Sequence, residues 1–239
     1  MTDCRNPRPA RRQSTRSARN ELLADEFSTE TARAYSGRPR PGTAIDRRPP
    51  ADRYARGVPS APWPVAAPAE SARLCLEPLT VDHAPEAVTV FADPRLHTWT
   101  GGQPASLDEL RARYRRQSAG QSPDGRHGWL NWMLRRTSDH RLVGTVQATL
   151  TRTTPETVEV QRYEAELAWV IGPDHQGVGY GREAARAMLQ WLRAHGVDEV
   201  TAHIRPGHQA SIGIARALGL RPTSTLVDGE VRWTSTPPG

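Results

Sequence analysis

Three glycines within five residues, in Gln176-Gly177-Val178-Gly179-Tyr180-Gly181, join an apolar run to an amphipathic stretch. That junction constrains the fold more than any other part of the chain. Upstream, Glu166-Leu167-Ala168-Trp169-Val170-Ile171 is closed by Gly172-Pro173-Asp174 and reads as the end of a buried strand running from Tyr163 to Ile171. Downstream, Ala184, Ala185, Met188, Leu189 and Leu192 recur at helical spacing, with Arg182, Glu183, Arg186, Gln190 and Arg193 between them on the other face. The unit is strand, glycine loop, helix. Glycines remove the Cβ atoms that block close approach, and the first-turn N–H groups with the helix dipole then face whatever anion arrives. A diphosphate fits that description.

Two ligand classes use such a loop. Gly179-Tyr180-Gly181-Arg182-Glu183-Ala184 matches the dinucleotide pattern G-x-G-x-x-[GA], and Asp198-Glu199 follow about 20 residues later. The dinucleotide fold needs a tight strand-to-helix turn, however, and here Pro173 to Val178 intervene. Its acid should also close the second strand, whereas Asp198-Glu199 precede the apolar run Val200 to Ile204. The reading without a ligand is an ordinary helix entered through a flexible glycine loop.

The chain of 239 residues divides into two parts. Residues 1–70 are rich in Arg and Pro, poor in large apolar side chains and without strand or helix periodicity, so they read as a disordered tail. The charge is concentrated there: 13 arginines against 8 acids, compared with 19 against 18 in residues 71–239. Such a tail suits contact with RNA, a ribosome or an anionic surface, or is simply a solvated extension. No apolar run reaches membrane-spanning length and no apolar signal core is present, which points to a cytoplasmic protein without membrane contact. Cys4 and Cys75 make no disulfide framework, and the 8 histidines, His195 and His203 among them, lack zinc spacing, so no metal is expected.

Residues 71–239 read as one mixed α/β domain. Arg73 to Leu79 alternates like a strand, and Ala84 to Ala92 forms a short helix capped near Thr80 or Asp82. Ser106 and Glu109 form a capping box for a helix to about Ser118. Strands follow at Trp129–Arg135, Leu142–Leu150 and Tyr163–Ile171, then, after the central helix, at Glu199–Ile204. A helix over Ala210–Leu218 and a hairpin, Leu220–Val227 with Glu230–Thr234 turning at Asp228-Gly229, close the domain.

Gln176, Gly179 and Gly181 stand in the register of [QR]-x-x-G-x-[GA], and the loop resembles the acyl-CoA loop of the GNAT N-acetyltransferase superfamily. The opening strand and helix, Asp93-Pro94, Trp99, Gly101-Gly102 and Ser106 to Leu110 resemble the ribosomal-protein N-terminal acetyltransferase branch. The resemblance covers roughly residues 71–235. It implies a mostly antiparallel twisted sheet with splayed fourth and fifth strands and about four flanking helices. It also implies an enzyme that moves an acetyl group from acetyl-CoA to a primary amine, on a protein N-terminus or a small molecule, by direct attack in a ternary complex.

The same resemblance implies site residues. The pantetheine arm would enter beside Ala168, Trp169, Val170 and Ile171, with a strand N–H near Val170 stabilising the oxyanion. The diphosphate would rest on Gln176, Gly177, Val178, Gly179, Tyr180 and Gly181. Glu166 is the first candidate to receive the amine's proton, with Glu164 or a water as alternates. The family's helical tyrosine is missing between His208 and Leu220, which leaves Ser211 for the thiolate. The branch's N-x-x-S becomes His208-Gln209-Ala210-Ser211, so His208 is a cofactor contact, an acid or base, or a helix cap. The acceptor would meet the first two helices, His97 to Gly102, and the hairpin with Asp228, Glu230 and Trp233. Trp99, Trp129, Trp132 and Trp169 would line its channel or belong to the core. The competing function is a catalytically silent acyl-CoA-binding or RNA-associated adaptor. Either is compatible with a monomer or a homodimer.

Overall fold

Alternation of large apolar side chains on long strands builds a sheet buried on both faces at its centre. The computed structural model describes residues 62–100, 103–155 and 158–235. They form an eight-stranded sheet: β1 (Ala69–Glu70), β2 (Leu74–Pro78), β3 (Gly128–Arg136), β4 (Leu142–Arg152), β5 (Tyr163–Ile171), β6 (Val197–Ile204), β7 (Leu220–Val227) and β8 (Glu230–Ser235). The order is β1-β2-β3-β4-β5-β6-β8-β7, and every neighbouring pair is antiparallel except β5 with β6. Five α-helices accompany it: α1 (Ala84–Phe91), α2 (Pro94–Thr100), α3 (Leu107–Gln117), α4 (Tyr180–Ala194) and α5 (Gln209–Ala217). The helix beyond the expected four is α2, in the stretch from Asp93-Pro94 to Trp99, to which the sequence pattern assigns no element.

On one face, Leu76, Leu130, Trp132, Leu134, Val146, Ala148 and Leu167 pack with Ala184, Met188 and Leu192 of α4. On the other, Met133 and Leu142 pack with Ala84, Ala87, Leu110 and Tyr114 of α1 and α3. The 3.6-residue spacing on α4 and the two-residue alternation on β3 are both satisfied. The expected capping box forms at α3, where Ser106 Oγ accepts from the Glu109 N–H and the Glu109 carboxylate accepts from the Ser106 N–H at 2.7 Å. Asp228 and Gly229 both take positive φ, 51° and 80°, as a two-residue hairpin turn with the strands' own twist requires.

The folded part starts before Ser71. Trp63 is only 8% exposed and joins the main core, Arg152 stacks over its ring at 3.8 Å, and the Ala67 carbonyl accepts from Trp132 Nε1 at 2.8 Å. Residues 62–70, assigned above to the tail, are therefore part of the domain; a single aromatic in a Pro/Ala-rich stretch leaves no periodic trace. Residues 1–61 lie outside the described residues.

The feature that creates a site is the parallel pair. β5 is paired with β4 along its whole length, from Tyr163 opposite Arg152 to Ile171 opposite Gly144. It pairs with β6 only from Tyr163 to Glu166, the last partner being Thr201, while β6 continues to Ile204 on β8. Past Glu166 and Thr201 the two strands part. The splay expected between the fourth and fifth strands of the sequence reading lies here, between β5 and β6.

Candidate functional site

The gap between β5 and β6 opens into a cleft of about 660 Å³. Its walls are Leu167 to Ile171 of β5, Ala202 to Ile204 of β6 and His208 to Ser211 at the start of α5, and it ends at the glycine loop before α4. Strand geometry says which backbone groups face it. The Gly172 N–H donates to Val143 on β4, and the Tyr163 N–H donates to Gly196 on the β6 side. Hydrogen-bonding direction alternates along a strand, so Val170, Ala168 and Glu166 point their N–H groups at β4. Leu167, Trp169 and Ile171 point theirs to the β6 side, and those of Trp169 and Ile171 lie past the last paired residues, in the gap. The oxyanion donor is expected near Val170; the Val170 N–H itself belongs to the β4 ladder, and the gap-facing neighbour is Trp169.

At the end of the cleft, Gly179 is the N-cap of α4 with φ +93°, a left-handed conformation open to glycine at little cost. It offers no side chain to cap the first-turn N–H groups, which leaves them for an incoming acceptor atom. Gly181 is needed for a different reason: a Cβ there would lie 2.8 Å from Ile214 Cδ1 and 3.3 Å from Ile171 Cγ1, so it allows α4, α5 and β5 to meet closely. Gln176 folds the loop back on the strand, its Nε2 donating to the Ile171 carbonyl at 2.8 Å.

The loop is braced from behind. Glu183 accepts from Ser71 Oγ at 2.8 Å and from the Arg73 backbone and Nε at 2.7 Å, and Arg73 also donates to the Val178 carbonyl and lies over the Tyr180 ring. Burial pushes the Glu183 carboxyl up, but the hydrogen bonds from Ser71 and Arg73 outweigh it and hold the group below the usual carboxylate range. On the opposite side α2 leans on the mouth of the cleft, with Arg95 bonded to Asp174 at 2.9 Å and Trp99 stacked on His208 at 4.4 Å between centroids.

Ala168, Trp169, Val170, Ile171, Gln176, Gly177, Gly179, Tyr180, Gly181, His208 and Ser211 all line the cleft. Val178 does not: its side chain is 55% exposed and turned to solvent. His208 holds the N-cap position of α5 without a side-chain cap hydrogen bond, so the capping role is not realised and its ring instead meets Trp99. Ser211 is 9% exposed, and its Oγ accepts from Trp169 Nε1 at 3.1 Å, which turns its own hydrogen toward another acceptor.

Glu166 is not on the wall of this cleft. Strand alternation puts it with Glu164 on the outer sheet face, in a trough of about 160 Å³ shared with His127, Thr149, Thr151, Thr201, His203 and Arg232. Its carboxylate Oε1 is 2.9 Å from His203 Nδ1, and His203 lines both the trough and the cleft. Glu164 is bonded to Arg232 at 3.1 Å. His203 is the functional candidate that sequence reasoning missed, because nothing in Thr201-Ala202-His203-Ile204 separates it from a strand histidine. Trp132 and Trp233 are core residues at 0% and 5% exposure, and Asp228 sits exposed on the hairpin turn, so none of the three lines an acceptor channel. Trp99 and Glu230 do line the cleft. Among the described residues no group of three or more His, Cys, Asp or Glu could hold a metal ion, and no helix is long and apolar enough to cross a membrane.

A sheet split along one parallel pair, with a glycine-lined helix N-terminus closing the split, defines a domain that holds an extended, anion-tipped ligand against a strand edge. The comparisons give that class its family. A model of the acetyltransferase (GNAT) domain matches residues 73–221, and the chain belongs to the GNAT acetyltransferase family, whose acetyl donor is acetyl-CoA. Solved structures similar to it include an acetyltransferase from Agrobacterium tumefaciens (21% identity, TM-score 0.52, covering 71% of this chain and 94% of that one). A Vibrio cholerae protein assigned as a ribosomal-protein-serine acetyltransferase is 20% identical, with TM-score 0.52 and coverage of 72% and 98%. The aminoglycoside acetyltransferase AAC(6′)-Ib in complex with coenzyme A is 14% identical, with TM-score 0.53 and coverage of 68% and 94%. No curated protein matches.

Proposed function

We propose that the chain is an N-acetyltransferase that moves an acetyl group from acetyl-CoA to a primary amine, on a protein N-terminus or a small molecule, by direct attack in a ternary complex. The observation that carries this reading is the parting of β5 from β6 beyond Glu166 and Thr201, which leaves the β5 edge at Trp169 and Ile171 without a strand partner on that side. That edge takes the pantetheine amides as it would an added strand, and the α4 N-terminus with Gly177 to Gly181 takes the diphosphate. Acetyl-CoA supplies an activated thioester. The Trp169 N–H, fixed by the β4 ladder, is preorganised for the negative charge that grows on the carbonyl oxygen. Ser211, oriented by Trp169, donates a hydrogen bond to the departing sulfur. The Glu166–His203 pair takes up the amine's proton.

The acceptor approaches from the outer sheet face, where the trough carries Glu164, Glu166 and Arg232 and leads to the gap at His203. The neighbours named as a ribosomal-protein-serine acetyltransferase and as an aminoglycoside acetyltransferase suggest the two acceptor classes to try first. The test is calorimetric titration with CoA, beside NAD and ATP, followed by CoA release from acetyl-CoA with a peptide bearing a free N-terminal serine and with an aminoglycoside. Binding of CoA alone, and release that depends on the amine, are expected. CoA binding without turnover for any amine would favour the silent acyl-CoA-binding adaptor instead.

A further inference from the structure

Glu166 and His203 occupy different places relative to the split. Glu166 is the last β5 residue paired with β6, and its partner Thr201 is the last on β6. His203, two residues on, is therefore the first side chain of β6 on the outer face beyond the point of divergence. Its counterpart on β5 is Ala168, which lines the cleft beside Trp169. The His203 side chain is 10% exposed and that of Glu166 is 17%. Only His203 reaches the cleft as well as the trough.

We propose that His203, not Glu166, takes the proton from the attacking amine, and that Glu166 is a positioning residue acting through His203 Nδ1. The inference rests on the acetyl-transfer reading above. The carboxylate accepts from Nδ1–H, which fixes the tautomer and leaves Nε2 with the lone pair. The amine nitrogen forms a bond to the acetyl carbon and gives one proton to Nε2. The C–S bond breaks, sulfur leaves with the electron pair and is protonated from the imidazolium through solvent, and the products are the amide and CoA thiol. Titratable and charged groups face the ring from the neighbouring strands. They are Glu166 and Glu164 on β5 and Arg232, directly opposite His203 on β8, with Arg205 just after β6, Glu230 on β8 and His127 just before β3 further along the same face.

The first arm of the test needs no acceptor. The full-length protein carrying 15N-histidine is titrated with CoA by NMR. The His203 ring is expected as the Nδ1-protonated tautomer, with its nitrogen resonances moving along the same saturation curve as the amides of Gly179 and Gly181. Loop amides that respond while His203 stays still would overturn the proposal and leave the acetyl-transfer reading standing; a loop that does not respond removes that reading itself. In the second arm, CoA release with the serine peptide or the aminoglycoside is followed against pH. His203→Gln should lower kcat/KM by roughly 10²–10³ with CoA affinity within about twofold of wild type. Glu166→Gln should lower it by about tenfold, shift the acidic limb of the profile downward, and add nothing to the loss in the His203→Gln background, as expected when one residue acts through the other. A larger loss in Glu166→Gln than in His203→Gln, or additive losses, would assign the proton to the carboxylate and overturn the proposal.

Discussion

Gly179 is required by its torsion angle, and that requirement can be separated from the charge of the ligand. Asn and Asp are close in shape and are the non-glycine residues that best tolerate a left-handed conformation, so Gly179→Asn and Gly179→Asp put nearly the same backbone demand on φ +93°. A Cβ at this position meets only Arg73 Nη2, at 3.4 Å, so neither variant forces a steric rearrangement. The difference between them is one negative charge at the N-terminus of α4, facing the place assigned to the diphosphate. At a separation of about 4 Å and an effective dielectric of about 20, that charge costs about 4 kcal/mol against one phosphate charge. Arg73 screens part of it, although its guanidinium already pairs with Glu183 at 2.6 Å. The expected gap in CoA affinity is therefore between tenfold and about a thousandfold, Asp weaker than Asn. Isothermal titration with CoA at two salt concentrations measures it, and higher salt should narrow the gap. Equal affinities for the two variants would show that no anion sits at the loop.

Gly144→Ala would place a Cβ 2.4 Å from the Val170 carbonyl and 2.8 Å from Ile171 Cδ1; backbone cannot swing aside, so the cost lies near the top of the roughly 1–3 kcal/mol of overpacking. Thermal unfolding should fall by about 6–12 °C, with weaker CoA binding because β5 is the displaced strand; a wild-type melting curve would refute the β4–β5 spacing. Trp63→Ala in the full chain should cost about 3–5 kcal/mol and lower the melting temperature by roughly 10 °C, measured by calorimetry. A shift under 2 °C would return residues 62–70 to the tail. The Glu183 carboxyl is held below its ordinary 4.5 in the folded state, so its contribution is present above that value and is lost as pH falls through the lower native one. Glu183→Gln should therefore melt below wild type at pH 7, the difference shrinking below about pH 4.5; a pH-independent difference would mean that the Ser71 and Arg73 contacts do not hold the carboxylate.

Elements whose side chains repeat with the period of the structure were legible. The β5 boundaries, the α4 stripe of Ala184, Met188 and Leu192, the capping box at Ser106 and the turn at Asp228-Gly229 all follow from local chemistry and appear where that chemistry puts them. Where the stabilising partner is distant, the signal vanishes. Trp63 is held by Arg152 and by Gly125, which accepts from its Nε1 at 3.2 Å, both more than 60 residues away. α2 lies against the cleft through Arg95 and Asp174, a contact across 79 residues that no window of sequence contains.

The site divides along the same line. The glycine loop was readable because torsion and close approach are local demands on Gly179 and Gly181. Placing Glu166 required knowing which face of β5 looks into the gap, and a strand alternates both its side chains and its backbone donors with period two. A one-residue ambiguity in that phase decides whether the Val170 or the Trp169 N–H faces the gap, and the point at which β5 leaves β6 decides that Glu166 lines the trough and not the cleft. Only pairing partners resolve it: Gly172 with Val143 on one side, Tyr163 with Gly196 on the other. The same pairing brings His203 beside Glu166 from a strand that begins 31 residues after Glu166, and of the residues that line the trough it is His203 that also lines the cleft. In this chain the glycine loop is a property of a segment. The proposed proton path is a property of the sheet, whose register sets which two strands diverge, and after which residue.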